Sequence, residues 1–147
     1  MEVKESVVAQ RPKVKSFQDL DLYVASLDLV DMVHEMTDRF TLDNLRALQS
    51  QLHRAVISVP ANIAEGWGRG KGAAHANFLR ISRGSLYEVI CFTEIVEPQH
   101  LAPASCIAVV QAQLEKVGRQ LNRYLASIEA SGVREDQADY GMDSAED

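Results

Sequence analysis

The chain is predicted to be all-α, a single-domain, up-down-up-down antiparallel four-helix bundle, on three observations. Apolar residues recur at steps of three and four through most of its 147 residues. No segment shows the alternating pattern of a strand. Four such periodic stretches are separated by short breaks rich in Gly and Pro, and short connections make consecutive helices antiparallel neighbours.

The first helix is expected at 17–38 and carries two stripes. Leu20, Tyr23, Leu27 and Val30, ending at His34, form one; Leu22, Ala25, Leu29, Met32 and Met36 form another about half a turn away. One apolar stripe is enough for a surface helix. The second therefore predicts an oligomer interface made of Leu22, Ala25, Leu29, Met32 and Met36, closing head-to-tail into a ring of identical copies. The second helix is expected at 43–65, with Leu45, Leu48, Leu52, Ala55, Val59 and Ile63 inward, Thr41 or Asp43 as its cap, and Gly66 and Gly68 as its stop. Pro60 lies within it and removes one backbone hydrogen bond, which predicts a kink near Val56.

The third helix, expected at 73–97, presents Phe78, Ile81, Ser82, Ser85, Leu86, Val89, Thr93 and Val96, and Pro98 closes it. Gly84 in its middle costs about 1 kcal/mol relative to Ala, so a close helix crossing is expected there. The fourth, at 103–130, is a heptad seam of Ile107, Val110, Leu114, Val117, Leu121, Tyr124 and Ile128, with Pro103 suited to its first turn. Residues 1–15 are expected to be flexible and 132–147 to be an acidic disordered tail without periodicity. The bundle then occupies 16–131.

The net charge of −6 is unevenly spread. Residues 17–40 carry −5 and 129–147 carry −6, while 1–16 carry +2, 41–93 carry +3, and 94–128 are neutral. No apolar run approaches the roughly 20 residues of a membrane span, and MEVKESVVAQRPKVK lacks the apolar centre of a secretory signal. Cys91 and Cys106 lie in apolar helical context without metal-ligand spacing, the pattern of reduced core thiols in a cytoplasmic protein.

Catalytic chemistry has no pattern to rest on. Ser58, Ser82 and Ser85 lack a base partner and there is no GxSxG. The glycine-rich run from Gly66 to Gly72 follows a helix and lacks the terminal Lys-Ser/Thr of a phosphate loop. Glu97-Pro98-Gln99-His100 and Asp31-Met32-Val33-His34 imitate the Glu-x-x-His pairs of di-iron bundles, but Pro98 breaks the first and Asp replaces Glu in the second. No catalytic residue, metal, cofactor or small-molecule substrate is expected.

Around the break between helices two and three, Asn62, Glu65, Gly66, Arg69, Gly84 and Glu88 are expected to form a structural clasp. In it Asn62 and Glu65 bond backbone groups freed at the turn, Arg69 pairs with Glu65 or Glu88, and the glycines Gly66 and Gly68 allow positive φ. The basic middle supplies candidate nucleic-acid contacts: Arg46, His53, Arg54, Arg69, Lys71, Arg80 and Arg83. The competing reading is a solvated face whose arginines pair with the acids of helix one.

Several of these residues together resemble a known family. They are Phe17, Asp19 and Leu20, Gln51-Leu52-x-Arg54-Ala55, Ser58, Asn62-Ile63-Ala64-Glu65-Gly66-x-Gly68-Arg69, Phe78-Leu79 and Gly84-Ser85-Leu86-x-Glu88, where x is a position outside the resemblance. They are similar to the bacterial four-helix-bundle proteins named after the intervening sequences of large-subunit ribosomal RNA, whose relatives include accessory proteins of diversity-generating retroelements. The resemblance spans about Phe17 to Ile128, and departs at Phe40-Thr41, where the family usually has Phe-Pro. It implies a non-enzymatic bundle that forms homopentameric rings and, in some members, binds RNA or DNA or a nucleic-acid enzyme. The function expected is that of an oligomeric accessory protein binding nucleic acid through helices two and three; the alternative is an interaction module with a polypeptide partner.

Overall fold

The computed structural model describes residues 13–42 and 45–142, with side chains described through Val133. A 3₁₀ turn at Phe17–Asp19 precedes four helices: α1 (Asp21–Asp38), α2 (Arg46–Gly68), α3 (Ala73–Val96) and α4 (Ala104–Met142). Residues 1–12, and with them most of the flexible segment expected at 1–15, lie outside the described residues, as do Asp43 and 143–147.

The expected first helix is split in two at Leu20. Ser16 builds a capping box around the 3₁₀ turn: its Oγ accepts from the Gln18 N–H, and Asp19 Oδ2 accepts from the Ser16 N–H at 3.1 Å. Leu20 then takes an extended conformation, with φ −70° and ψ 126°, and α1 begins after it. Phe17 folds back edge-on against Tyr23, ring centroids 4.9 Å apart, which seats the turn on α1.

Side-chain pairings set the direction of every neighbour. Thr37 meets Gln49 while His34 meets His53, and Ser58 meets Ser85 while Gly66 meets His75. Glu97 meets Gln111 while Arg80 meets Glu129, and Ala25 meets Gln113 while Thr41 meets Leu101. In each pair one number rises as the other falls, so adjacent helices run antiparallel. Helix contacts join α1 to α2, α2 to α3, α3 to α4 and α4 to α1, and among the described residues none crosses the diagonals. This is the up-down-up-down arrangement.

The core is a column of Leu29, Val33 and Met36 from α1, Leu52, Val59 and Ile63 from α2, Leu79, Leu86 and Val89 from α3, and Val110, Val117 and Leu121 from α4. Ile81, expected inward, is exposed. The α1 stripe assigned to copy–copy contact is corrected: Leu22 is 4%, Ala25 3%, Leu29 0% and Met36 0% exposed within the single chain, and Met32 is half-buried. Gln113 of α4 donates to the Ala25 carbonyl at 2.8 Å, which turns this stripe toward its own bundle. The apolar surface α1 leaves open is Val24 and Leu27, at 49% and 41%.

Two helix ends also differ from expectation. α2 holds Pro60 inside it as expected but continues through Gly66 to Gly68, and the positive φ values fall at Gly70 (79°) and Gly72 (114°). The disordered tail expected from residue 132 is corrected as far as Met142, because α4 runs on. Once nucleated, a helix gains one bond for each residue ordered, and no proline interrupts it there. Gly132 lies against Gly72, a Cβ at Gly132 falling 3.7 Å from the Gly72 Cα, so α4 reaches the α2–α3 turn.

Candidate nucleic-acid interface

The residues of the expected clasp divide into those that hold α2 to α3 and those that do not. Ser58 Oγ lies 2.8 Å from Ser85 Oγ, and Ser82 Oγ donates to the Val59 carbonyl at 2.9 Å in a buried position. Asn62 Nδ2 donates to the Ser58 carbonyl and Oγ, within its own helix, so its expected role at the turn is corrected. A Cβ at Gly66 would meet His75 Cδ2 at 2.9 Å, the His75 carbonyl at 3.2 Å and Phe78 Cβ at 3.2 Å. Here lies the close crossing.

Gly84 is corrected on the same measure: it is exposed, and an added Cβ would meet nothing within 4 Å. Glu88 is exposed and forms no ion pair among the described residues. Arg69 instead clasps its own helix. Its Nε and Nη2 both donate to Glu65 Oε1, at 3.1 and 2.7 Å, and its guanidinium lies 5.2 Å from the Phe78 ring centroid. That cation is occupied, so Arg69 belongs to packing more than to a free basic face.

His53 is likewise removed from the set of phosphate contacts. Its ring stands 4.2 Å from that of His34, and its Nε2 lies 2.7 Å from Thr37 Oγ1. Because the Thr37 hydroxyl donates to the His34 carbonyl at 3.0 Å, His53 Nε2 carries the proton and donates to Thr37. Burial first, and the neighbouring His34 second, push the His53 pKa below the usual imidazole value, with Asp38 opposing. A histidine held neutral offers no charge to a phosphate.

Of the remaining cations, Arg80 and Arg83 lie on the seam between α3 and α4. Arg80 Nη2 donates to Glu129 Oε1 at 2.6 Å, and Arg83 Nη1 donates to Asn122 Oδ1 at 3.3 Å. The competing expectation, pairing with acids of helix one, is corrected: both arginines reach α4. Asn122 is neutral, so Arg83 keeps its full charge. Arg119 and Arg123 lie within one helical turn of Asn122 on α4, and both are exposed. Arg119 approaches Glu115 only at 4.0 Å, with both side chains more than two-thirds exposed, a pairing of little strength in water.

Arg119 and Arg123 escaped the sequence reading because the 94–128 segment sums to zero. Their signal was spacing: Lys116, Arg119 and Arg123 step by three and four along one helix face. Arg46 and Arg54 are exposed on α2, and no described contact joins them to this seam. Lys71 is exposed at the turn, beside a cavity lined by Trp67, His75 and Tyr124.

The groove of about 480 Å³ between α3 and α4, lined by Leu86, Tyr87, Ile90 and Leu114, has Glu94 and Glu115 at its rim with Arg119. Among the described residues no three His, Cys, Asp or Glu side chains gather as a metal would require, and no helix is long and apolar enough to cross a membrane. No curated protein matches the chain. The model of the 23S rRNA-intervening sequence protein family matches residues 18–123, and the chain belongs to that family.

Proposed function

We propose that this member of the family is a non-catalytic accessory protein that binds RNA along the α3–α4 seam. The observation that carries the reading is Arg83 on Asn122, flanked by Arg119 and Arg123, a group of three cations of which none is tied to a close carboxylate. Such side chains on an exposed helix face suit phosphates, which position a nucleic acid without reading its sequence. Three contacts give weak binding on their own. The protein therefore works as a homo-oligomer in which repeated seams add avidity, and the exposed Val24 and Leu27 of α1 are the side chains on which copies meet.

Fluorescence anisotropy with a labelled single-stranded RNA, measured over a salt series, tests this. Wild type should lose affinity linearly in log–log form, with a slope of about −0.7 for each phosphate contact. The double variant Arg83→Glu, Arg119→Glu should bind more weakly and with a flatter slope on every RNA tried. Equal binding by wild type and variant would leave the seam as packing and favour a polypeptide partner. Light scattering on a sizing column addresses assembly: Leu27→Lys should yield smaller species than wild type, and a wild-type monomer would remove the avidity argument.

A further inference from the structure

The cavity at the turn end of the bundle is used by neither the core nor the arginine seam. It measures about 290 Å³ and is lined by Trp67 from the last turn of α2, His75 from the first turn of α3, Tyr124 and Ile128 from α4, and Gly70 and Lys71 of the turn. Three of these side chains are aromatic rings, each from a different helix. His75 is 3% exposed and held on both edges. Its Nδ1 donates to the Gly70 carbonyl at 2.8 Å, which leaves Nε2 bare, 3.4 Å from the Tyr124 hydroxyl. The two rings stand edge to face, centroids 5.5 Å apart. Burial pushes the Tyr124 pKa up to about 12, so its hydroxyl stays protonated.

Interiors are close-packed, and an aliphatic side chain would fill such a space at the end of a bundle. Here the walls are flat rings with one polar edge. Residues 69–75 place Arg69 and Lys71 beside them and no acid. Arg69 is held by Glu65, whereas Lys71 forms no ion pair among the described residues. Aromatic faces beside an available cation match the two parts of a nucleotide in a single strand, a stacking base and its phosphate.

We infer that this cavity receives one unpaired base of a single-stranded RNA, its ring against Trp67 and Tyr124 and its phosphate at Lys71. The inference rests on the RNA reading of the seam and adds to it a base contact. The contact tolerates any base, since every base has a π face.

Trp67 is the only tryptophan of the chain, so its emission reports on the cavity alone. Titration with a ten-nucleotide adenosine RNA should quench that emission in step with anisotropy. An RNA of the same length carrying abasic positions should bind without quenching. Trp67→Leu should lower affinity about tenfold, the loss of one stacked base, with the salt slope unchanged. Lys71→Gln, an exposed change that leaves the fold intact, should flatten the slope by about 0.7 and keep the quenching. RNA bound with unaltered emission, and with equal affinity for wild type and Trp67→Leu, would overturn the cavity inference while the seam reading stands. Absence of RNA binding would overturn both. Quenching by adenosine monophosphate that the oligonucleotide fails to reproduce would assign the cavity to a free nucleotide and overturn the inference as well.

Discussion

The two seams of α3 are built from opposite materials. Against α2 the helix presents small and polar side chains: Ser82 on the Val59 carbonyl, Ser85 on Ser58, and His75 on the bare Cα of Gly66. Against α4 it presents long cations, Arg80 and Arg83, that reach Glu129 and Asn122 across partly open surface. The first seam holds the residues whose pattern is most distinctive in the sequence, and it is devoted to packing. The second holds less distinctive residues, and it is the face on which a ligand could act. Motif density marks constraint, and close backbone approach constrains a sequence as tightly as chemistry does.

Four measurements would break or sharpen that contrast. Gly66→Ala should have the largest effect. Its Cβ enters at 2.9 Å from a His75 ring that is fixed by two hydrogen bonds. The overpacking cost exceeds the helix-propensity gain, for a net loss of about 1–2 kcal/mol and a melting temperature several degrees lower. A variant as stable as wild type would mean that α2 and α3 are not tightly seated at this end.

Acid should come next, and it should act on the α2 side. Burial holds His53 and His75 below the usual imidazole pKa. In each case the unfolded chain binds the proton more readily. Their contribution to stability is therefore complete above the unfolded value of about 6.5 and is lost as pH falls from there through the depressed folded values. The urea midpoint should drop between pH 7.5 and pH 5, and less so in a His53→Gln variant. A flat profile would mean that neither ring is as enclosed as its contacts imply.

Gly84→Ala should be stabilising by about 0.5–1 kcal/mol, since the residue is mid-helix and an added Cβ meets nothing within 4 Å. The opposite signs expected at Gly66 and Gly84 make the pair a sharp test by thermal melting. The smallest effect should follow Arg80→Ala. The Arg80–Glu129 pair is nearly half exposed on both sides, so its loss should cost no more than about 0.5 kcal/mol. A large loss there would move the α3–α4 seam from the binding side of the comparison to the packing side.

Much of the architecture was legible in the chain. The heptad seam from Ile107 to Leu121 is buried as its spacing predicts, α3 spans Ala73–Val96 against the expected 73–97, and α2 buries Leu52, Ala55, Val59 and Ile63. The split at Leu20 was legible in principle, through Ser16 and Asp19 spaced as a capping box. The site was legible only in part. Arg80 and Arg83 lie on the proposed face and Arg69 pairs with Glu65, one of its two expected partners, while His53 turned inward to Thr37 and His34, which no local pattern names.

Helical period is a local property: side chains three and four apart share a face whatever the rest of the molecule does. The sequence by itself therefore determined four helices and their antiparallel order. Which face turns inward depends on where each helix sits among three others, and that information is spread over the whole chain. Hence the Leu22–Met36 stripe proved to be core, because Gln113, 88 residues from Ala25, is hydrogen-bonded against it. Hence also the tight glycine is Gly66 and not Gly84, since only the crossing of α2 and α3 decides which backbone comes close. The cavity bounded by Trp67, His75 and Tyr124 exists only where three helix ends converge, and no single segment of the sequence contains it.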